Sequence, residues 1–290
     1  MEGAQVVRAV APDRARPLRE SGLYVLGLRA GLQLLRARRL KRGLRYLVMP
    51  IGYWRCVEFQ LVWDNTSFRR DDRILDIGSP KLLSVYLAQQ IGAEVYASDI
   101  DDYFLDEFGL IKAAMGIPDR NLRLEVQDGR SLTYPDNAFD KVYSVSVIEH
   151  IPEHGDSECL REIGRVLRPG GEALITVPYW PTSKDEYRSP NFYWAGASVT
   201  RADGKVFFQR RYSLDDLSTR LIKPSGLQLS KLAFVGEHVL THARHEFCEF
   251  LPPPTGPIHP ILSRLVHTRP VPSPDQLKKP LCAFLKLTKA

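Results

Sequence analysis

The chain has few cysteines and methionines: its 290 residues hold four of the first and three of the second. Cys56, Cys159, Cys248 and Cys282 lie far apart with no C-x-x-C pair, which excludes the usual zinc-ligand spacing and a disulfide framework. Reduced thiols and a cytoplasmic location are therefore expected. Nowhere does the sequence sustain the ~18 apolar residues that a membrane-crossing helix needs. The first twenty residues lack the apolar core and small-residue cleavage site of a secretory leader. The glycine fingerprint G-x-G-x-x-G is missing at the one strand-to-helix turn that could carry it, where Gly78 stands alone in Asp76-Ile77-Gly78-Ser79-Pro80-Lys81. That argues against a nicotinamide-type dinucleotide site. Acids are absent from Arg29 to Arg45, a stretch holding Arg29, Arg36, Arg38, Arg39, Lys41, Arg42 and Arg45. There is no internal repeat.

What remains is ordinary globular material, 44% hydrophobic and 26% charged with a net charge of +6, enough for one large domain with appendages. The composition predicts a disordered leader over 1–20, a helical extension over 21–70 and a main domain over 71–290. Two segments, about 182–209 and about 236–279, read as insertions into that domain. Leu23, Leu26, Leu28, Leu32, Leu35 and Leu40 recur at a rough helical period, predicting a helix from Ser21 to about Leu47 with a basic opposite side. A second helix is expected over about 53–64.

Beyond it, strand and helix alternate. The strands are Arg73–Ile77, Glu94–Ser98, Leu122–Val126, Lys141–Val147 and Ala173–Val177. Helices are expected from Ser79 to near Gly92, around 103–114, and from Ser157 to Leu167, the last closed by Pro169-Gly170-Gly171. Ser213 is an N-cap for a helix that Lys223-Pro224-Ser225-Gly226 should break. Gln228–Val235 is the next strand, and Pro280–Leu287 is expected to pair with it as a last, edge strand. Strands separated by helices imply right-handed crossovers and a largely parallel sheet covered on both faces. Ligands on such sheets bind beyond the carboxyl ends of the strands, and this sequence places polar residues there.

Four linked segments together resemble the class I S-adenosylmethionine-dependent methyltransferases of the small-molecule type. They are Ile74-Leu75-Asp76-Ile77-Gly78; Val95-Tyr96-Ala97-Ser98-Asp99; Val126-Gln127-Asp128-Gly129-Arg130 with Phe139-Asp140-Lys141-Val142; and Val147-Ile148-Glu149-His150-Ile151 followed by Val166-Leu167-Arg168-Pro169-Gly170-Gly171. The resemblance covers about Asp71–Val235. It implies an α/β Rossmann-like fold: a seven-stranded, mostly parallel sheet with helices on both faces and the last strand antiparallel, preceded here by the helical extension. It also implies S-adenosylmethionine as cofactor. Asp99 would then accept the ribose hydroxyls, with Ile100 beside it, and Asp128 would accept from the adenine amino group, with the Gly129 backbone near a ring nitrogen. Asp76 would orient the turn, and Gly78 and Ser79 would bring backbone close to the ligand. Ser144 would approach the methionyl part or simply pack. Lys81 would pair with the cofactor carboxylate or be a solvated surface lysine. The later glycines of the family's turn are replaced here by Pro80 and Ser84.

His150 follows the fourth strand and is a candidate proton acceptor, or else a packing residue. Tyr179, Trp180 and the aromatic residues Tyr187, Phe192, Tyr193 and Trp194 would wall the acceptor pocket or form the insertion's own small core. The resemblance implies transfer of a methyl group to an O or N atom of a small-molecule or lipid-like acceptor, with the N-terminal helices on the acceptor side. An RNA methyltransferase, suggested by the basic segment, and a non-catalytic scaffold are the alternatives. The Asn/Asp-Pro-Pro-Tyr signature that grips a flipped base is absent, so nucleic acid is not expected. The basic N-terminal helix is expected to contact a membrane surface. His238, His242 and His245 have a spacing that could hold a metal on a helix; no metal is assigned.

Overall fold

Ile74, Leu75 and Ile77 sit in a five-residue strand whose side chains are buried on both faces, the pattern of a central parallel strand. This strand, β1 (Arg73–Ile77), is at the heart of a computed structural model that describes residues 20–78, 82–189, 200–238 and 258–290. The other strands of its sheet are β2 (Glu94–Asp99), β3 (Leu122–Val126), β4 (Phe139–Val145), β5 (Leu167–Pro178), β8 (Gln228–Gly236) and β9 (Pro280–Thr288). Their order is β3-β2-β1-β4-β5-β9-β8. β9 alone runs against the direction of the other six strands. β6 (Lys184–Arg188) and β7 (Val206–Arg211) form a separate antiparallel pair inside the first predicted insertion.

The helices are α1 (Glu20–Arg36), α2 (Leu40–Val48), α3 (Tyr53–Asp64), α4 (Leu82–Tyr86, continued by π-wound Leu87–Ile91), α5 (Asp102–Met115), α6 (Gly155–Val166), α7 (Leu214–Asp216) and α8 (His259–Val266). One sheet face carries Ile74, Val95, Tyr143, Val145 and Leu174 and packs under α1, α3, α4 and α5. The other carries Leu75, Ile77, Val142 and Ile175 and packs under α6 and under Leu217 and Leu221, which follow α7. The alternation of side chains along each strand produces both layers.

Several sequence expectations need correction. The single helix over 21–47 is two helices: Arg38 takes φ 60°, and the chain turns back so that α2 lies on α1. The last strand is not an edge. β9 lies between β5 and β8, and β8 is the edge. The physical reason is in the side chains: β9 is apolar on both faces, whereas Gln228–Lys231 of β8 is exposed. Lys223-Pro224 does not break its helix, because α7 runs on through π-wound Leu217–Ile222 and Lys223–Ser225 to Gly226, where φ is 66°. Proline cannot donate and crowds the carbonyl four residues back. That carbonyl, of Arg220, accepts instead from Ser157 Oγ on α6 at 2.8 Å. Finally, Pro169-Gly170-Gly171 is not a helix end: α6 stops at Val166, and the three residues belong to β5.

Candidate active site

β1 and β2 end side by side. At the tip of β1, Gly78 has φ 83°, and a Cβ there would stand 2.2 Å from Val147 Cγ1, so only glycine fits. Its N–H donates to Ser98 O at 2.8 Å, and Ser98 Oγ donates to Asp76 O at 3.0 Å. Asp76 lies wholly buried beneath the turn. Its Oδ2 accepts from Ser84 Oγ at 2.5 Å, and Ser84 Oγ lies 2.6 Å from Tyr143 OH. Burial, with the charge of Asp76, pushes the Tyr143 hydroxyl well above its ordinary pKa. Tyr143 therefore keeps its proton, and a chain of hydroxyls can run from Tyr143 through Ser84 to the carboxylate. Asp76 thus braces the turn from below.

Asp99 closes β2, only 8% exposed, and its Oδ1 accepts from Asp101 N at 2.9 Å. Ile100 beside it is 59% exposed. Asp128 follows β3 and is held by Arg130, whose Nε and Nη2 reach its two oxygens at 3.0 and 2.7 Å. The backbone N–H of Arg130 donates a third contact to Asp128 Oδ1 at 2.9 Å. Hydrogen bonding from Arg130 lowers the pKa of Asp128 despite partial burial, so a ligand amino group would meet an anion already shared with a guanidinium. Gly129 faces Cys159 Sγ and Ile77, where a Cβ would come within 3.1 and 3.3 Å. Ser144 is wholly buried and donates to Ile77 O at 3.0 Å, so it serves the sheet rather than the site's surface. Ser79, Pro80 and Lys81 lie outside the described residues.

His150 ends the short 3-10 turn Ile148–His150 after β4. Its Nδ1 lies 2.6 Å from Phe208 O on β7. A carbonyl only accepts, so Nδ1 carries the proton and Nε2 bears the lone pair in the neutral ring. Glu149 Oε1 stands 3.9 Å from that nitrogen. Tyr179 is core, stacked edge-on against Phe234 at 4.9 Å. Trp180 is half-exposed under Arg211. Tyr187 meets Phe207 within the β6–β7 pair. Phe192, Tyr193 and Trp194 lie outside the described residues, as do His242 and His245. Among the described residues no cluster could hold a metal ion.

One residue escaped the sequence reading. Glu58 of α3 is fully buried against the tips of β4 and β5, where it accepts from Thr176 Oγ1 at 3.0 Å and from Ser146 Oγ, and pairs with Arg55. Ser146 itself has φ 48°. The available signal was the single acid in the largely apolar run from Trp54 to Trp63, whose other polar residues are Arg55 and Gln60. A polar groove of about 660 Å³ opens at the opposite, amino-terminal end of the strands, lined by Arg69, Lys141, Glu172, Lys231 and Lys286 among others. Ligands of open α/β sheets sit at the carboxyl ends instead, which favours the Gly78–Asp99 end.

Residues 75–175 match a family model described as a methyltransferase domain. The chain is 29% identical over 104 residues to the methyltransferase GfsG of Streptomyces halstedii, covering 36% of each chain. It is 31% identical over 137 residues to a ubiquinone/menaquinone biosynthesis C-methyltransferase of Idiomarina loihiensis, covering 45% of this chain and 52% of that one. The chain thus spans about half or less of these relatives' lengths. The solved S-adenosylmethionine-dependent methyltransferase of Mesorhizobium loti superposes with a TM-score of 0.51 at 16% identity, covering 82% of this chain and 100% of that one; at that identity it speaks for the fold alone.

Proposed function

We propose that this chain, whose residues 75–175 match a methyltransferase domain, is a class I S-adenosylmethionine-dependent methyltransferase that transfers a methyl group to an O or N atom of a small-molecule or lipid-like acceptor. The observation that carries this reading is the pair of neighbouring strand tips at Gly78 and Asp99, a glycine turn at φ 83° with a nearly buried carboxylate beside it. Those residues fit the cofactor: Gly78 would form the turn beneath it, Asp99 would accept both ribose hydroxyls, and Asp128 with Gly129 would meet the adenine edge. The cofactor, when bound, supplies a methyl group on a sulfonium that is already a good leaving group. The protein's share is then alignment and exclusion of water. His150 Nε2 is the proposed acceptor of the proton lost by a hydroxyl or amine, with Nδ1 anchored on Phe208 O. The kinship with a quinone-pathway methyltransferase supports an acceptor with lipid-like character.

Calorimetric titration with S-adenosylmethionine tests the site. Asp99→Ala should weaken binding about 10- to 100-fold, the worth of hydrogen bonds to a charged group. Equal affinity in the variant removes Asp99 from the site, and no binding by the native protein at millimolar ligand favours a non-catalytic scaffold. Labelled methyl donor in a cell extract should then mark a small or lipid-like product through O or N. Label on RNA, or on a carbon atom, would overturn that part of the reading.

A further inference from the structure

The α1–α2 hairpin turns an unusual face to solvent. On α1, Val25, Arg29, Leu32 and Arg36 are all exposed, and their spacing of four, three and four residues puts them on one stripe. On α2 the exposed residues are Leu40, Lys41, Leu44 and Arg45. Leucine and valine thus alternate with cations on both helices, and the connecting turn adds Arg38 and Arg39, likewise exposed. Leu40 and Leu44 are 65% and 54% exposed, Leu32 48% and Val25 44%. The opposite sides of the helices are committed to the core through Leu23, Leu26, Leu34 and Tyr46. The apolar residues on the outer side are therefore not needed for folding. Glu107 of α5 approaches from a neighbouring element and reaches Arg45 at 3.6 Å, neutralising that one cation; the hairpin contributes no acid of its own between Arg29 and Arg45.

We propose that this face docks on an anionic bilayer surface, its leucines entering the headgroup boundary and its arginines and lysine meeting lipid phosphates. The charge complementarity selects a polyanionic surface. The interleaved leucines select a bilayer over a nucleic acid, because a phosphate backbone rewards cations and offers nothing to exposed aliphatic side chains that an interface would bury. No described helix is long and apolar enough to cross a membrane, so the contact would be peripheral. The contact does not depend on the methyl-transfer reading.

The test is co-sedimentation of the full chain with phosphatidylcholine vesicles, with and without phosphatidylserine, beside a filter-binding assay with RNA. Binding should require the anionic lipid and fall with salt. Arg29→Glu with Lys41→Glu should weaken it by more than about tenfold, since each basic residue near such a surface contributes on the order of a fivefold factor. Leu40→Ser with Leu44→Ser should weaken vesicle binding by a similar factor. All four positions are exposed, so thermal unfolding should be unchanged, which separates lost docking from lost folding. Vesicle binding indifferent to phosphatidylserine, indifference to the leucine changes, RNA binding as tight as vesicle binding, or no vesicle binding at all would each overturn the proposal.

Discussion

Single residues here are set by what surrounds them more than by their type. Glu172, midway along β5, receives Lys286, Lys141 at 3.1 Å and the hydroxyl of Thr66. Burial works against its ionisation, but Lys286, Thr66 and Lys141 together outweigh it and hold the carboxyl at about 2. The folded value lies below the unfolded one of about 4.3, so the stabilisation is complete above that unfolded value and is lost as pH falls toward about 2. Screening at this partly exposed site leaves on the order of 1–2 kcal/mol. Urea unfolding of the native protein and Glu172→Gln should therefore differ by that amount at about pH 6, and the gap should narrow steadily as pH falls from about 4 toward about 2. A constant gap across that range would deny the ionised carboxylate its role. That Gly78 and Asp99 would lie at the tips of neighbouring strands was legible, because each follows a short apolar run at a break in the pattern. Glu58 was not, since nothing in its local sequence says that α3 would be laid across the tips of β4 and β5.

At the scale of elements, close approach decides outcomes that propensity would get backwards. α1 and α2 touch through Gly31 and Gly43: a Cβ on Gly43 would stand 2.7 Å from two carbons of Leu35 and 2.9 Å from Gly31 O. Gly109 of α5 has room, its nearest neighbour being Leu124 at 3.8 Å. Glycine to alanine inside a helix ordinarily stabilises by up to about 1 kcal/mol, and Gly109→Ala should do so. Gly43→Ala should instead cost about 1–3 kcal/mol through overpacking. Thermal unfolding of the two variants should move in opposite directions, and a stabilising Gly43→Ala would mean the hairpin is looser than described. The same contrast marks what the sequence could reveal. Strands β1 and β2 were readable within a residue because burial on both faces writes a largely apolar run, and β3, at the sheet's other edge, because Leu122, Leu124 and Val126 alternate with polar residues. The break at Arg38 was invisible, because a residue that adopts φ 60° without being glycine leaves no compositional mark. The rank of β9 ahead of β8 depended on a pairing between strands distant in the chain. The continuous apolar run of Leu281–Leu285 against the polar start of β8 was the one hint of it.

Across the whole molecule, the β6–β7 pair is joined to the sheet's helical layer by one buried acid. Asp156 at the start of α6 is fully buried and accepts from Arg210 Nη1 at 2.8 Å, Tyr212 OH at 3.0 Å, and Arg220 Nε and Nη2 at 2.8 and 2.9 Å. Burial first, then the charge of Asp156, pushes the Tyr212 hydroxyl well above its ordinary pKa, so it remains a donor. Three elements thus converge on one carboxylate: α6, and from some fifty residues further along the chain the end of β7 and the helix that follows it as α7. The same hairpin supplies Phe208 O to His150, so its seating also fixes the ring at the candidate active site. Removing an acid that compensates buried guanidinium groups leaves their charge unpaired, a loss of about 3–5 kcal/mol. Asp156→Ala should therefore lower the urea midpoint sharply and loosen the ring of His150, visible as a changed imidazole line width in NMR. Asp185, which meets Arg210 from the more exposed side at 2.9 Å with 37% of its side chain accessible, should cost less than about 1 kcal/mol on truncation. If the two truncations cost the same, the hairpin is held by its own pairing rather than by Asp156, and the link between its seating and His150 fails with it.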